Sequence, residues 1–581
     1  MASFFKQLFS PPIWLLWSCL IGSNVSMGQA TSTKLEVDNA YTLYTEGKLR
    51  EALPLLLQLS DKSPYNDDFH YLVGDVQYRL GNFEAAIEAF QRNVALEGST
   101  NGLSYTYLAL SKAHVQQGNK KEALDYLLKA FTLNIELQGR IIKDPLFDFF
   151  RNDSRYVKTI TGRTLPKQHT RNEAWEADLD YLKLLIEDTH IAPFAHVDRN
   201  NWETVIARTR KLIPLLEDYE IVCEFQRIAA MVNDGHTVVY NPRLPSHEKL
   251  AFHHLPLMLY YFGTELYVRS ASEKYKDLVG KRVLKIGDRD IRDIEDDLWR
   301  YHHGNDNRMQ FYWQTPWYLV LPEILKYYGA TNSLRNVEFT LGDDQGAEET
   351  VVLQTDQLLT KRYQKSTAPQ SWVNMRDNAG RDVPYYLQNP DSLFWHTQLR
   401  DNNLLYLQIN KIRNKKDLTL ERYMEQVMGQ LEEKNARALI IDLRLNNGGN
   451  TRLMKPLIKS IIKNERINQR GSLFVITGRN TFSAAMNLSS ALEKWTNAIF
   501  VGEPTGSSPN FVGEEKNIRL PYSRLNISIS NTAWIGGLNS LDTRKWIAPE
   551  LGAPLTIWDY QHNIDPCLRA IFDYLADQDR D

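Results

Sequence analysis

Ser483 is the residue of this chain whose surroundings first suggest covalent chemistry. It follows the apolar run LFVIT (473–477) and a short polar turn, and it precedes a stretch with the spacing of an amphipathic helix (484–495). A serine at a helix N-terminus lies where the helix dipole stabilises a developing negative charge. The same pattern also fits a small residue that merely begins a helix. A nucleophile therefore requires a base and an oxyanion-binding loop elsewhere in the chain.

Two adjacent glycines supply a candidate for that loop. They end the stretch RALIIDLRLNNGGN (437–450), directly after an apolar run. Glycines in this position allow a positive φ and let a ligand approach the backbone N–H groups. We expect the N–H groups of Gly449 and Ala484 to form an oxyanion hole; the alternative is a tight strand-to-helix connection. The phosphate-loop pattern GxxxxGK[ST] is absent.

His236 is the candidate base. It lies in the turn NDGHT (233–237), between a helical pattern and the β-like run TVVY. A near-neutral imidazole is the usual base for a serine hydroxyl. The alternative is a structural histidine, which is the commoner role for a histidine taken alone.

The elements around these residues predict several domains in 581 residues. From 390 to 575 strand-like and helix-like segments alternate, which predicts a mostly parallel α/β sheet with its active site at the carboxyl ends of the strands. Residues 172–245 are predicted as helices that lead into NDGHT. Residues 250–355 are β-rich and resemble a PDZ-type module with a helical insert at 301–330; the alternative is a plain small β-rich domain.

An internal repeat precedes these regions. The segments GKLREAL, GNFEAAI and GNKKEAL begin at Gly47, Gly81 and Gly118, and are therefore 34 and 37 residues apart. This period and pattern resemble tetratricopeptide repeats, and we expect an α-helical solenoid over 34–160 that binds a peptide or partner protein. The alternative is a plain helical bundle.

The N-terminal residues 1–28 have the pattern of a secretory signal peptide, with one early positive charge, a short apolar stretch and a small-residue exit. The alternatives are a membrane anchor, for which the stretch is short, and lipidation at Cys19. We therefore expect an exported protein, periplasmic or extracellular, with no transmembrane segment in its mature chain.

Composition argues against a nucleic-acid-binding protein, a disulfide-rich protein and a metalloprotein. A net charge of −3 gives no field that would recruit nucleic acid. Cys223 and Cys567 allow one disulfide but no disulfide framework, and the histidine pairs lack the spacing of a metal site, so we expect no metal and no cofactor.

Together, NDGHT, IIDLRLNNGG (440–449), TFSAA (481–485) and VGEPTG (501–506) resemble the tail-specific (C-terminal processing) serine peptidase family. Their order and spacing match over roughly 180–575. The resemblance implies a ClpP/crotonase-like catalytic core, a polypeptide substrate and an acyl-enzyme mechanism without a cofactor. Ser508 stands where one branch carries its lysine base, so the chain resembles the tricorn-core-like branch, whose histidine corresponds to His236.

That branch implies a carboxylate downstream of the nucleophile. We predict Asp542, 59 residues after Ser483, with Glu550 as the other candidate and a salt bridge from Asp542 to Arg544 as the competing role. The predicted triad is Ser483, His236 and Asp542. The rival prediction is a non-catalytic ligand- or protein-binding scaffold on the same fold, resembling the interphotoreceptor retinoid-binding proteins.

Overall fold

The computed structural model describes residues 27–580 except 97–99, 163–167, 302–306, 356, 361–367 and 400–402. The predicted signal peptide lies outside the described residues apart from the backbone of its last two positions, and Cys19 lies outside them altogether. The chain forms two compact units, Met1–Ile160 and Thr161–Asp581. No helix among the described residues is long and apolar enough to cross a membrane.

The first unit is a row of antiparallel helices. They are α1 Met27–Thr45, α2 Leu49–Lys62, α3 Asp67–Arg79, α4 Phe83–Ala95, α5 Thr100–Gln116, α6 Lys120–Leu133, α7 Gln138–Lys143 and α8 Ser154–Tyr156. The glycine that opens each repeat has a left-handed φ of 76°, 86° or 81° and lies in the turn within a helix pair. The alanine five residues after each glycine is fully buried where the helices meet. These features confirm the tetratricopeptide prediction.

The second unit begins with three helices and a short strand. They are α9 Arg171–Thr189, α10 Arg199–Leu212, α11 Asp218–Ala230 and β1 Val238–Val239. Asp178 on α9 accepts hydrogen bonds from the backbone N–H groups of Tyr522 (3.0 Å) and Ser523 (2.7 Å), more than 340 residues away in sequence. The helical segment that carries NDGHT is thereby packed onto the C-terminal half of the chain.

A β-rich region with a helical insert follows. Its elements are β2 Leu257–Phe262, β3 Glu265–Ser272, β4 Arg282–Ile286, β5 Arg289–Asp290, α12 Ile291–Tyr301, α13 Arg308–Tyr318, α14 Pro322–Tyr327, β6 Asn336–Gly342, β7 Glu348–Gln354 and β8 Trp372–Asn374. The sheet order is β2-β3-β4-β6-β7, with β5 on β4 and β8 on β3. The sheet thus reaches past residue 355, and the PDZ resemblance stays a prediction.

The α/β core contains the predicted alternation of strands and helices. Its elements are α15 Tyr385–Gln388, β9 Phe394–Leu399, β10 Leu404–Ile409, α16 Leu420–Glu433, β11 Ala438–Asp442, α17 Lys455–Lys463, β12 Leu473–Thr477, α18 Ala484–Trp495, β13 Ile499–Gly502, β14 Asn510–Arg519, β15 Asn526–Ile535, β16 Leu551–Gly552, α19 Ile557–Gln561 and α20 Pro566–Gln578.

Five of these strands run parallel in the order β16-β13-β12-β11-β10, and β9 adds to β10 antiparallel. Every residue of β11 and β12 is buried, because helices cover both faces of the sheet. The carboxyl ends of β10, β11 and β12 meet at one edge. The long hairpin of β14 and β15 forms a second sheet with β1.

The two cysteines of this unit do not form a disulfide. Cys223 on α11 and Cys567 on α20 are both buried and free. Burial raises the pKa of each thiol, which keeps both protonated and unreactive.

Candidate active site

Ser483 is the N-cap residue of α18, in the turn after β12. Its backbone has φ 55° and ψ −125°, a conformation that costs a non-glycine residue about 1–3 kcal/mol. The Thr481 hydroxyl donates to the Leu443 carbonyl (2.9 Å), and the Phe482 N–H donates to the Asn446 carbonyl (3.2 Å). The turn is therefore tied to the loop after β11, and the serine at its end is half-buried.

Gly448 lies directly against this serine. Its φ is 115°, and a Cβ at this position would lie 2.7 Å from the Cβ and 3.1 Å from the Oγ of Ser483. Any larger residue would displace the hydroxyl. The N–H of Gly448 donates to the Asn446 side chain (2.9 Å) and is therefore not available to a ligand.

Gly449 and Ala484 are the two predicted oxyanion donors. Gly449 has φ 141°, and a Cβ there would overlap the carbonyl oxygen of Ile412. Within the described part of the chain, neither the Gly449 N–H nor the Ala484 N–H meets a hydrogen-bond acceptor. Gly449 lines the cavity at Ser483, whereas Ala484 is buried at the start of the following helix.

The turn that carries His236 is built around Asp234. One carboxylate oxygen of Asp234 accepts the N–H groups of His236 and Thr237, each at 2.6 Å. The other accepts the Thr237 hydroxyl and His190 Nε2, also each at 2.6 Å. Burial alone would raise the pKa of Asp234, but the hydrogen bonds from His190 and Thr237 outweigh burial and lower it. The Ser530 N–H of β15 also donates to the Thr237 hydroxyl (3.1 Å).

The His236 ring is stacked between two phenylalanines. Its centroid lies 4.5 Å from that of Phe482 and 5.7 Å from that of Phe511, with interplanar angles of 23° and 11°. Only 5% of His236 is exposed, and neither ring nitrogen makes a hydrogen bond with a described residue. Burial lowers the pKa of His236, so the neutral base predominates at pH 7. The structure therefore forms no hydrogen bond from Ser483 to this histidine.

One cavity of about 610 Å³ joins these residues. It lies wholly within the second unit and has a volume typical of small-ligand sites. Its lining includes Ser483, His236, Gly449, Lys411, Glu514, Glu515 and residues of α13. Two of the three predicted triad members thus line the same cavity.

Asp542, the predicted acid, is not among them, and this assignment is corrected. Its carboxylate is bound by the Arg544 side chain (2.8 Å) and by the backbone N–H groups of Arg544 and Leu538. The hydrogen bonds from Arg544 lower the pKa of Asp542 to about 2. Arg544 is in turn bound by Glu493 (2.7 Å). The salt bridge that competed with the catalytic role is therefore the one that forms.

Glu550, the other candidate, is also occupied elsewhere. It pairs with Arg470 at the surface and does not line the Ser483 cavity. The structure thus brings neither predicted carboxylate to His236.

Glu515 is the acidic residue that sequence reasoning missed. It lies on β14, lines the cavity, and its negative charge is the largest influence favouring protonation of His236. Its backbone pairs with Ser530 of β15, but its carboxylate makes no hydrogen bond or ion pair with a described residue. Nothing local in the sequence marks it, because its proximity depends on how the β14–β15 hairpin packs over NDGHT.

Lys411 was also missed. It follows β10, and its Nζ donates to the Asn447 side chain (2.6 Å), beside the glycine pair. Burial lowers the pKa of Lys411, and the charge of Glu515 opposes that shift. At the position where a Lys-dyad enzyme carries its base, the Ser508 hydroxyl donates to the Lys545 carbonyl instead (3.3 Å).

No metal-binding cluster appears in the described residues, since no group of three or more His, Cys, Asp or Glu side chains is arranged to hold an ion.

Comparison with protein families gives three matches. Residues 403–472 match the model of peptidase family S41, and residues 37–96 and 104–134 match tetratricopeptide repeat models. The peptidase match spans β10, β11 and the glycine pair but stops before Ser483. A search of curated proteins gives no match.

The solved structures that match have low sequence identity, and proteases are among them. Mature CPAF complexed with lactacystin has 12% identity and a TM-score of 0.48, over 70% of this chain and 97% of that chain. The photosystem II D1 C-terminal processing protease has 12% identity and a TM-score of 0.34, over 70% and 98%. The tricorn protease has 12% identity and a TM-score of 0.32, over 73% of this chain and 38% of its own.

Proposed function

We propose that this chain, which belongs to peptidase family S41 and carries tetratricopeptide repeats, hydrolyses peptide bonds through an acyl-enzyme formed on Ser483. The Ser483 Oγ attacks the substrate carbonyl, and the peptide C–N bond breaks when the leaving amine takes up a proton. Water then attacks the ester and regenerates the hydroxyl. No cofactor is needed for either step.

His236 is proposed as the general base and acid. It removes the Ser483 proton during attack and returns it to the leaving amine. Its lowered pKa supports this role, because a base must be unprotonated at the working pH. The turn built on Asp234 keeps the imidazole in place while the reaction proceeds.

Glu515 is proposed as the carboxylate that stabilises the protonated form of His236, in place of the predicted Asp542. Its charge already favours the imidazolium, and its carboxylate makes no hydrogen bond or salt bridge with another described residue. A histidine that becomes charged in a buried site needs such a counter-charge.

The N–H groups of Gly449 and Ala484 are proposed as the oxyanion hole. The observation that carries the whole proposal is the close approach of Gly448 to Ser483 and the Ala484 nitrogen, because it puts the glycine loop directly beside the hydroxyl. Neither the Gly449 N–H nor the Ala484 N–H has an acceptor among the described residues. Loss of a single oxyanion donor typically costs about 10²–10³ in rate. A serine that only begins a helix would not require this arrangement.

A conformational step is part of this mechanism. His236 rests against Phe482 and is not bonded to Ser483. Hydrogen bonds between catalytic groups often tighten only when substrate is bound. Substrate must therefore bring the Ser483 hydroxyl and the imidazole within hydrogen-bond reach.

The absence of that hydrogen bond favours a second candidate function. A protein that only bound a ligand in this cavity would keep the strained serine and the buried histidine apart. On this alternative the chain is a non-catalytic binding scaffold on the same fold.

Cleavage of an unstructured polypeptide, followed by mass spectrometry of the new termini, distinguishes the two. We expect hydrolysis by the wild type and none by Ser483→Ala or His236→Ala. Ser489→Ala is the matched control, because Ser489 lies buried on the same helix with its hydroxyl bonded to the Ala485 carbonyl (2.9 Å). Equal cleavage by the wild type and Ser483→Ala, or no cleavage by any form, would favour the binding scaffold.

Recruitment and location complete the proposal. The tetratricopeptide unit is proposed to bind a protein segment, in line with the usual use of such repeats. The signal-like sequence at 1–28 supports export to the periplasm or the extracellular space.

A further inference from the structure

The helix α13 presents an unused aromatic face to the Ser483 cavity. Trp313, Gln314 and Trp317 line the cavity at helical positions i, i+1 and i+4. The opposite positions, Phe311 and Thr315, are fully buried within the protein. One face of α13 is thus packed into the protein, and the other face is available to a ligand in the cavity.

The anchoring of α13 is strong enough to keep this face in place. Its N-cap residue Asn307 is fully buried, and its side-chain amide donates to the carbonyls of Thr505 (3.2 Å) and Lys545 (2.6 Å) in the α/β core. The Asn307 side-chain oxygen also accepts the Gln310 N–H (2.9 Å). One residue therefore links the insert of the β-rich region to the core that carries Ser483.

Both indoles are unused by the described part of the protein. Trp313 and Trp317 are only partly buried, and neither indole makes a hydrogen bond or ring contact with a described residue. Trp534 on β15 lines the same cavity and is likewise partly buried. Large aromatic surfaces that remain partly exposed in a cavity mark a place where apolar ligand surface is expected.

We propose that Trp313 and Trp317 form the subsite for a large apolar side chain of the substrate, aromatic in preference to aliphatic. The inference rests on the proposed function in calling the ligand a substrate. Ring–ring contacts between indoles and an aromatic side chain add to the gain from apolar burial, which sets aromatic above aliphatic residues. The unpartnered amide of Gln314 supplies a hydrogen bond to the adjacent peptide group.

Because the tryptophans and Ser483 share one cavity of about 610 Å³, the recognised side chain lies within a few residues of the scissile bond. The specificity of the reaction is thereby set by a helix of the insert in the β-rich region, outside the α/β core that supplies the nucleophile.

Peptide binding to the full chain carrying Ser483→Ala tests this without requiring hydrolysis. The probes are sets of three unstructured octapeptides that carry phenylalanine, leucine or alanine at one position, and their binding is measured by fluorescence anisotropy. We expect the phenylalanine peptides to bind best. Adding Trp317→Ala or Trp313→Ala should weaken phenylalanine binding about tenfold or more while leaving the alanine peptides unchanged. Trp317→Phe should restore most of the affinity.

Trp495→Ala is the matched control, since Trp495 ends α18 and is 60% exposed outside the cavity. The inference is overturned if phenylalanine and alanine peptides bind alike, if the α13 variants weaken both equally, or if Trp495→Ala has the same effect. Failure of the proposed function gives a different result from failure of this inference. If only the proposed function fails, the wild-type protein cleaves no peptide but still binds aromatic peptides selectively.

Discussion

Replacing Gly448 by alanine should damage the nucleophile more than the fold. The new Cβ would lie 2.7 Å from the Cβ of Ser483 and 3.1 Å from its Oγ and from the Ala484 nitrogen, so these atoms must move. A displacement near 1 Å at reacting groups costs about 10²-fold in rate. The unfavourable φ of 115° and the overpacking each cost about 1–3 kcal/mol, so we expect the free energy of unfolding to fall by about 2–6 kcal/mol.

The assay is the rate at which a fluorophosphonate phosphonylates the protein, with the serine oxygen bonding to phosphorus and fluoride leaving. It is measured beside urea unfolding of the same preparations. Gly346→Ala is the matched control, because Gly346 has φ 83° and a Cβ there would meet no atom within 4 Å. It should lose about 1–2 kcal/mol of stability from backbone conformation alone and keep the wild-type phosphonylation rate. Phosphonylation of Gly448→Ala at the wild-type rate would refute the proposed contact between this glycine and the nucleophile.

Three further predictions follow from the surroundings of His236 and from a second buried histidine. Glu515→Gln should slow phosphonylation by the fluorophosphonate, because the charged imidazole loses its counter-charge, whereas Asp542→Asn should leave the rate nearly unchanged. The reverse order would restore Asp542 as the acid. Asp234→Asn should lower the free energy of unfolding by about 2 kcal/mol and slow phosphonylation, because the hydrogen bonds that hold the His236 turn lose their charged acceptor. Equal stability of this variant and the wild type in urea would contradict the prediction. Burial lowers the pKa of His254 from 6.5 to about 4. Its contribution to the free energy of unfolding is therefore complete above pH 6.5 and should fall by about 3 kcal/mol as the pH drops towards 4. Urea titrations of the wild type and His254→Leu should diverge below pH 6.5, and parallel curves would contradict the lowered pKa of His254.

The sequence predicted those parts of the molecule that depend on local pattern. The repeats at Gly47, Gly81 and Gly118 and the buried runs of β11 and β12 are visible because their periodicity follows from the elements they form. The N-cap position of Ser483 and the strand-to-loop position of Gly449 follow from the same patterns, since parallel strands place their carboxyl ends at one edge.

The acid could not be predicted because it depends on tertiary packing. Asp542 has a suitable spacing from Ser483, but Arg544, two residues away, captures its carboxylate. Glu515 approaches His236 only because β15 pairs with β1, so that the hairpin lies over the turn that carries the histidine. The aromatic face of α13 was unpredictable for the same reason, because the helix contacts the core through Asn307 at long range in sequence.

The most direct test of the central claim is to locate the fluorophosphonate adduct by peptide mapping. Trypsin should release residues 480–494, which contain Ser483, Ser489 and Ser490, and fragmentation separates the three. The mechanism proposed for this chain predicts an adduct on Ser483 that disappears in Ser483→Ala and forms far more slowly in His236→Ala. An adduct on another residue, or unmodified protein under conditions in which the fluorophosphonate labels a control serine peptidase, would contradict it.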